Sequence, residues 1–406
     1  MLYLLLPLAL LHLVWRSRRQ PGYLEHVGER FGFFSKEAPS RVIWIHAVSV
    51  GETRGAEPLI TALRTRHPDL RILVTHGTPT GRQTGLELYG DGIDRCYLPY
   101  DFRWAVRRFL RRFRPVVGVF IETEIWPNLI QASVQSAVPV YLVNARMSEK
   151  SARGYRRIRS LTRNALSNLS GIGAQTDRDA QRLTDLGAAD VSITGNIKFD
   201  RLAPADMLAL GATLRQFFGT QRPVFLAAST REGEENLILD ALARIKVPEL
   251  LTVMVPRHPQ RFEEVAALAL QRGHKVQLRS ENRPIEADTD LVIGDSMGEM
   301  FAYYCACDMA FIGGSLLPLG GQNLLEACAV GRPVIVGPHT FNFEDATNGA
   351  IQAGAAIRVT GEEELGNAIS QLVGDSNRRG AMSEAGKRFT DKHRGATEKT
   401  LALLRW

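Results

Sequence analysis

A chain of 406 residues, 45% hydrophobic and 23% charged, is long enough to bury two α/β cores of ordinary size and is not the composition of a disordered or low-complexity protein. Its formal net charge of +7 favours an anionic partner such as a phosphorylated ligand or a phospholipid surface, and no aromatic-basic interleaving or recognised module points to nucleic acid. The four cysteines (Cys96, Cys305, Cys307, Cys328) form no C-x-x-C pair and sit in or beside apolar segments, which excludes a disulfide framework and predicts buried thiols, with no metal site.

In chain order, Met1 to Trp15 is almost wholly apolar and is followed at once by Arg16, Arg18 and Arg19. As a helix this stretch is about 22 Å long, shorter than the hydrocarbon core of a bilayer. With charge after the apolar run and no small-residue cleavage site, it reads as an uncleaved anchor over 1–20 that keeps the remainder cytoplasmic. Strands are predicted at Val42 to His46, Arg71 to Thr75, Val116 to Ile121, Val138 to Val143, Ile172 to Gln175 and Val191 to Thr194. Between the first two, a helix is expected from about Thr53 to Arg66. Asp101 to Arg114 forms another, with Val106, Phe109, Leu110 and Phe113 on one face and Arg103, Arg107, Arg111 and Arg114 on the other. That basic face suits either anionic headgroups or plain solvent. A second basic run holds Arg153, Arg156, Arg157, Arg159 and Arg163.

The alternation of short apolar strands with helices implies βαβ units on a parallel sheet, with ligands gathering at the carboxyl ends of the strands. Those ends carry acids. Glu52 follows the first strand at the mouth of a helix, where the positive helix end would hold a carboxylate ionised, as a base at neutral pH requires. An ordinary helix-start acid is the other reading. Glu122 and Glu124 repeat the pattern beside Trp126, and Lys198 follows a later strand in G-N-I-K-F-D.

Leu202 to Arg222 is mostly helical pattern with Pro204 at its start, and the domain boundary falls there: 21–203 and 204–384, with 385–406 as a C-terminal helical segment. The second half predicts strands at Val224 to Ala228, Leu251 to Val255 and Leu291 to Ile293, ending in S-T-R-E-G-E-E, P-R-H-P-Q-R-F and G-D-S-M-G-E-M. A further strand ends at Ile312, a glycine-punctuated loop runs from Gly313 to Gly321, Asn323 to Ala329 has helical spacing, and Val334 to Val336 is the next strand. The helix opening near Gln322 and Asn323 would aim N–H groups at a phosphate, and Glu326 would face ribose hydroxyls. The same residues also fit a plain βα crossover.

The spacing G-G-S, G-G-x-N-x-x-E, then G-x-P-V-I resembles the donor motif of two-domain GT-B glycosyltransferases. Adding H-A-V-S-V-G-E, T-P-T-G, E-T-E-I-W-P, N-A-R-M-S, G-N-I-K-F-D and G-P-H-T-F-N-F, the chain resembles, over nearly its whole length, the 3-deoxy-D-manno-octulosonic acid (Kdo) transferases of lipopolysaccharide synthesis. The resemblance implies two Rossmann-like domains facing a cleft, transfer of Kdo from CMP-Kdo to a lipid A precursor with inversion, and no cofactor or metal. It places the enzyme on the cytoplasmic face of the inner membrane. It implies catalytic roles for Glu52 as base and for Glu122 and Lys198 as transition-state stabilisers. Donor contacts fall to Ser229, Thr230, Pro256, Arg257, His258, Met297, Gly298, Glu299, Gly313, Gly314, Ser315, Asn323, Leu324, Leu325 and Glu326. Acceptor contacts fall to Ser49, Gly51, Thr80, Glu124 and Arg146.

Two positions depart from the family pattern. Gln322 and Arg231 stand where most relatives carry His, exchanging titratable rings for a neutral amide and a permanent cation. Leu324 also replaces a common Pro. The competing readings are a GT-B enzyme using a UDP-sugar and a non-catalytic, membrane-tethered lipid or nucleotide binder.

Overall fold

The computed structural model describes residues 13, 15–18, 20–34 and 41–406. The chain divides into two compact units, 1–201 with 393–406, and 202–392. Most of the expected anchor lies outside the described residues. Among those described, no helix is long and apolar enough to cross a membrane.

The first unit is built on seven parallel strands: β1 (Val42–His46), β2 (Arg71–His76), β3 (Asp94–Tyr97), β4 (Val117–Ile121), β5 (Val140–Ala145), β6 (Gly171–Ala174) and β7 (Val191–Ile193). Their order is β3-β2-β1-β4-β5-β6-β7, so the direction of winding reverses between β1 and β4. Side-chain alternation sorts β1 between two cores. Val42 and Trp44 join Phe109, Phe120 and Leu142 on one face. Ile43 and Ile45 join Leu59, Leu63, Val119 and, from the end of the chain, Leu401 and Leu404 on the other. Trp44 lies against Gly118, where an added Cβ would come within 3.0 Å of its ring. Its indole N–H donates to Thr75 Oγ1 at 2.9 Å.

Three expected elements differ in detail. The helix predicted from about Thr53 to Arg66 is two helices, Val50–Gly55 and Glu57–Arg66, because Pro58 lacks the N–H that would carry the ladder through. The basic helix runs Arg103–Phe113 with Val106, Phe109, Leu110 and Phe113 buried, as its spacing predicted. The last helices are Ser376–His393 and Ala396–Leu403, the second returning to the first unit. There Asp200 accepts the Gly395 N–H at 2.7 Å, and the Tyr141 hydroxyl accepts the Arg405 N–H at 3.0 Å.

The second unit repeats the plan with β8 (Val224–Thr230), β9 (Leu251–Pro256), β10 (Val276–Leu278), β11 (Leu291–Ile293), β12 (Met309–Ile312), β13 (Val334–Val336) and β14 (Ala356–Arg358). The order β10-β11-β9-β8-β12-β13-β14 reverses between β8 and β12. Its core gathers Phe225, Phe311, Ile335, Ile293 and Met254 against Ile238, Leu365 and Ile369 of the covering helices.

Candidate active site

Open parallel sheets bind ligands outside the carboxyl ends of their strands, at the point where the winding reverses. In the first unit that point lies between β1 and β4, and the segments leaving these strands carry Glu52 and Glu122. Glu52, in the first turn of Val50–Gly55, folds back on the strand exit: Oε2 accepts the Val48 N–H at 2.6 Å and Oε1 the Ser49 hydroxyl at 3.0 Å. These bonds favour the carboxylate, but burial opposes them, and the nearby negative charges of Glu122 and Glu124 add to burial. The net result pushes Glu52 up to about 8. The expectation that a helix start keeps this acid ionised is therefore corrected; a six-residue helix cannot offset a buried site shared by three carboxyls.

Glu122 sits at positive φ (65°), a strained conformation for a non-glycine residue. Its Oε1 accepts from Lys198 Nζ at 2.7 Å. The lysine stem runs along Gly55, where a Cβ would stand 2.9 Å from Cε. Asn196 sets the start of this segment by accepting the Lys198 N–H at 3.0 Å. Glu124 accepts the Trp126 indole N–H at 2.8 Å, and its Oε2 lies 3.8 Å from Nε2 of fully buried His46. The structure thus brings Ser49, Glu52, Glu122, Glu124 and Lys198 into one cluster. Gly81 presses its turn on the strand exit: a Cβ there would lie 2.8 Å from the Val48 carbonyl, which places exposed Thr80 beside the same loop. Arg146 joins through its backbone, whose carbonyl accepts from the Thr123 hydroxyl.

Sequence reasoning missed two residues here. His46 reads as the polar end of an apolar strand, yet it is wholly enclosed and abuts Glu124. Asp101 accepts the N–H groups of Asn128 and Leu129 at 3.0 and 2.7 Å, capping Pro127–Gln135 from 27 residues away and fixing the exit of β4. Neither carries a local signal.

In the second unit the reversal lies between β8 and β12, where Ser229 to Glu235 meets the glycine loop. Ser229 has φ of 56°. A Cβ on Gly313 would fall 2.3 Å from the Ser229 carbonyl oxygen, so only glycine permits this approach. Gly314 (φ 72°) carries Gln322 and Arg231 over its face, with Gln322 Nε2 at 3.4 Å and Arg231 Cγ at 3.6 Å from where a Cβ would stand. The two departures from the family pattern are thus neighbours in space. Ser315 is buried and its Oγ accepts the Gly337 N–H at 2.8 Å, linking the exits of β12 and β13.

Arg257 donates its backbone N–H to the Thr230 carbonyl at 2.9 Å, seating the exit of β9 beside that of β8. Burial, with Arg231, Arg257 and Arg261 close by, lowers the His258 pKa, so this corner is rich in cationic charge. Glu299 accepts from Ser296 Oγ at 2.6 Å and pairs with Arg279 at 3.3 Å, while Met297 is half exposed and Gly298 has φ of 84°. The helix expected from Asn323 begins at Leu325 and lasts five residues. Asn323 stays outside it as a brace: Oδ1 accepts the Leu325 N–H at 3.0 Å and Nδ2 donates to Glu326 at 3.2 Å. Leu324 and Leu325 are buried beneath this turn. Glu234, which no local pattern singles out, is wholly buried and takes three backbone N–H bonds from the two loops.

Comparison with known proteins bears on both units. Residues 25–201 match the family described as 3-deoxy-D-manno-octulosonic-acid transferase (kdotransferase), and residues 223–389 match glycosyl transferases group 1. The chain is 44% identical to the 3-deoxy-D-manno-octulosonic acid transferase of Bordetella pertussis, over 98% of this chain and 96% of that one. It is 36% identical to the protein of the same name from Haemophilus influenzae, over 98% and 95%. Among solved structures, MurG of Acinetobacter baumannii shares the fold at 14% identity, with a TM-score of 0.55 over 90% of this chain and 99% of that one. Two parallel seven-stranded sheets, acids and a lysine at one reversal point, a glycine loop at the other, and these matches along both halves agree: the chain belongs to the Kdo transferase family, glycosyltransferases of lipopolysaccharide synthesis with a GT-B-like fold.

Proposed function

We propose that the enzyme transfers Kdo from CMP-Kdo to a lipid A precursor, with inversion at the anomeric carbon, and that Glu52 is the general base. The observation that carries this reading is the cluster of Glu52 with the Glu122–Lys198 pair at the exits of β1 and β4. A carboxyl with a pKa near 8 is a much stronger base than an exposed glutamate and is matched to an acceptor hydroxyl losing its proton as it attacks. Val48 N–H and Ser49 Oγ orient it. Lys198 pairs with Glu122 and fixes it where positive charge develops on the sugar, and an oxocarbenium-like centre gains from a fixed carboxylate. Ser49, Gly51, Thr80, Glu124 and Arg146 form the acceptor side. In the second unit Ser229, Thr230, Pro256, Arg257 and His258 with Gly313 to Ser315 take the CMP phosphate and sugar, and Met297 to Glu299 with Asn323 to Glu326 take the nucleoside. The apolar run Met1 to Trp15 with the arginines that follow it, and the basic runs at 103–114 and 153–163, support attachment to the cytoplasmic face of the inner membrane.

The test is transfer from CMP-Kdo, generated in place, to a tetraacylated lipid A precursor in detergent, read by product mass for wild type and Glu52→Gln. Loss of about 10² to 10⁴ in rate, with fold and CMP binding retained, is the expected outcome. Turnover by the variant within a few-fold of wild type would remove Glu52 as base. A wild type active only with UDP-sugars would overturn the donor assignment, and one inactive with every donor would favour a binding protein.

A further inference from the structure

Glu234 opens the helix Glu234–Ala243 after β8, yet its side chain does not face solvent; it is 0% exposed. Oε2 accepts the Gly314 N–H at 2.5 Å and the Arg231 N–H at 3.0 Å, and Oε1 accepts the Leu316 N–H at 3.0 Å. One carboxylate therefore saturates donors from both loops that leave the reversal point of the second sheet. The contact is tightened by Gly313, which packs directly on the Ser229 carbonyl and the Thr230 Cα. Burial raises the Glu234 pKa, the nearby Glu235 charge adds to it, and the three N–H groups offset this only in part; these donors are what favours the ionised form. Its neighbour Glu235 is engaged elsewhere, accepting from Thr230 Oγ1 and Arg261.

We propose that Glu234 is the positioning residue of the donor site, a buried carboxylate that fixes the glycine loop of β12 and the backbone of Arg231 in one geometry before the nucleotide sugar arrives. This deepens, and rests on, the reading of that loop as the CMP-Kdo site. A ligand phosphate needs backbone N–H groups already aimed at it, since a loop ordered only on binding costs affinity. A glutamine replaces one of the two oxygens by an amide that must face an N–H group, so Glu234→Gln breaks at least one of the three bonds without changing size. Aspartate keeps both oxygens on a shorter arm.

The experiment uses the full chain in detergent and three readouts. CMP binding is measured by calorimetry for wild type, Glu234→Gln and Glu234→Asp; KM for donor and for acceptor is separated from kcat; and amide exchange is followed in ligand-free wild type. The expected result is CMP binding at least tenfold weaker in Glu234→Gln, with a matching rise in donor KM. kcat at saturating donor and acceptor KM stay within about threefold, and Glu234→Asp lies between. A merely structural carboxylate would lower stability without that split, so a folded Glu234→Gln with CMP affinity within twofold of wild type overturns the proposal. Should Glu234→Gln fail to fold, the exchange arm decides: protected Gly314 and Leu316 amides without ligand support the staple, and exchange as fast as in the exposed Glu232 amide overturns it. Failure of wild type to bind CMP, with those amides protected, overturns the donor reading and with it the purpose assigned to Glu234.

Discussion

Glu52 shows how a residue's chemistry is set by neighbours distant in sequence. Its position after a strand is readable from H-A-V-S-V-G-E, but its protonation is governed by burial and by carboxylates 70 and 72 residues further on. Two pH effects follow. Because the folded pKa, about 8, lies above the ordinary 4.5, the group's contribution to stability is complete below about pH 4.5 and is lost as pH rises toward 8. Thermal melts should therefore show Glu52→Gln gaining on wild type between pH 5 and pH 8, and a constant difference across that range would contradict the buried, raised acid. Likewise kcat/KM of the wild type should climb with pH toward about 8, and Glu122→Gln, which removes a negative neighbour, should move that limb to lower pH. A limb unmoved in Glu122→Gln would show that the two carboxyls are not coupled.

Among elements, the central strands were legible, and of the four edge strands only β7 was. Val42–His46, Val224–Thr230 and Met309–Ile312 are buried on both faces and so read as continuous apolar runs. β3, β10 and β14 were missed, and all three are edge strands, short and partly exposed, with no unbroken apolar run to announce them. The glycine loop was legible as a turn, whereas its closeness to the exit of β8 was not, since that depends on pairing across 84 residues at Val224 and Asp308. This closeness is testable at Gly313. Gly313→Ala would drive a methyl into the Ser229 carbonyl at 2.3 Å, a backbone contact that no rotamer change relieves. We expect a loss of at least about 2 kcal/mol in urea unfolding, together with weaker CMP binding. Gly374→Ala, whose added carbon meets nothing within 4 Å, is the control. Equal stability of the two variants would refute the packing described.

At the scale of the whole molecule, the sequence announced two α/β units but concealed where the chain ends. A C-terminal helical segment is visible in the pattern of 385–406; that Leu401 and Leu404 complete a core begun by Ile43 and Ile45 is not, because nothing local links residues so far apart. Removing residues 394–406 deletes these two side chains, the partners of Asp200 at Gly395 and Thr397, and the strand-end contact of Tyr141 with Arg405. Buried leucines lost in this way cost about 2–5 kcal/mol each. Limited proteolysis of the truncated chain should cut first within 41–201 and leave 202–392 resistant, and uniform resistance would show that the tail is dispensable.

That returning tail also bears on how the protein comes into being. Synthesis runs from the amino end, and domains generally fold in the order in which they emerge. Here the unit made first lacks two core leucines that emerge only after residues 202–392 have been made. With Asp200 hydrogen-bonded to the N–H of Gly395, the outgoing and incoming strands of the connection touch inside the first unit. The second unit is in effect an insertion that enters and leaves by one doorway. On the ribosome, the half that is born first would be the last to close.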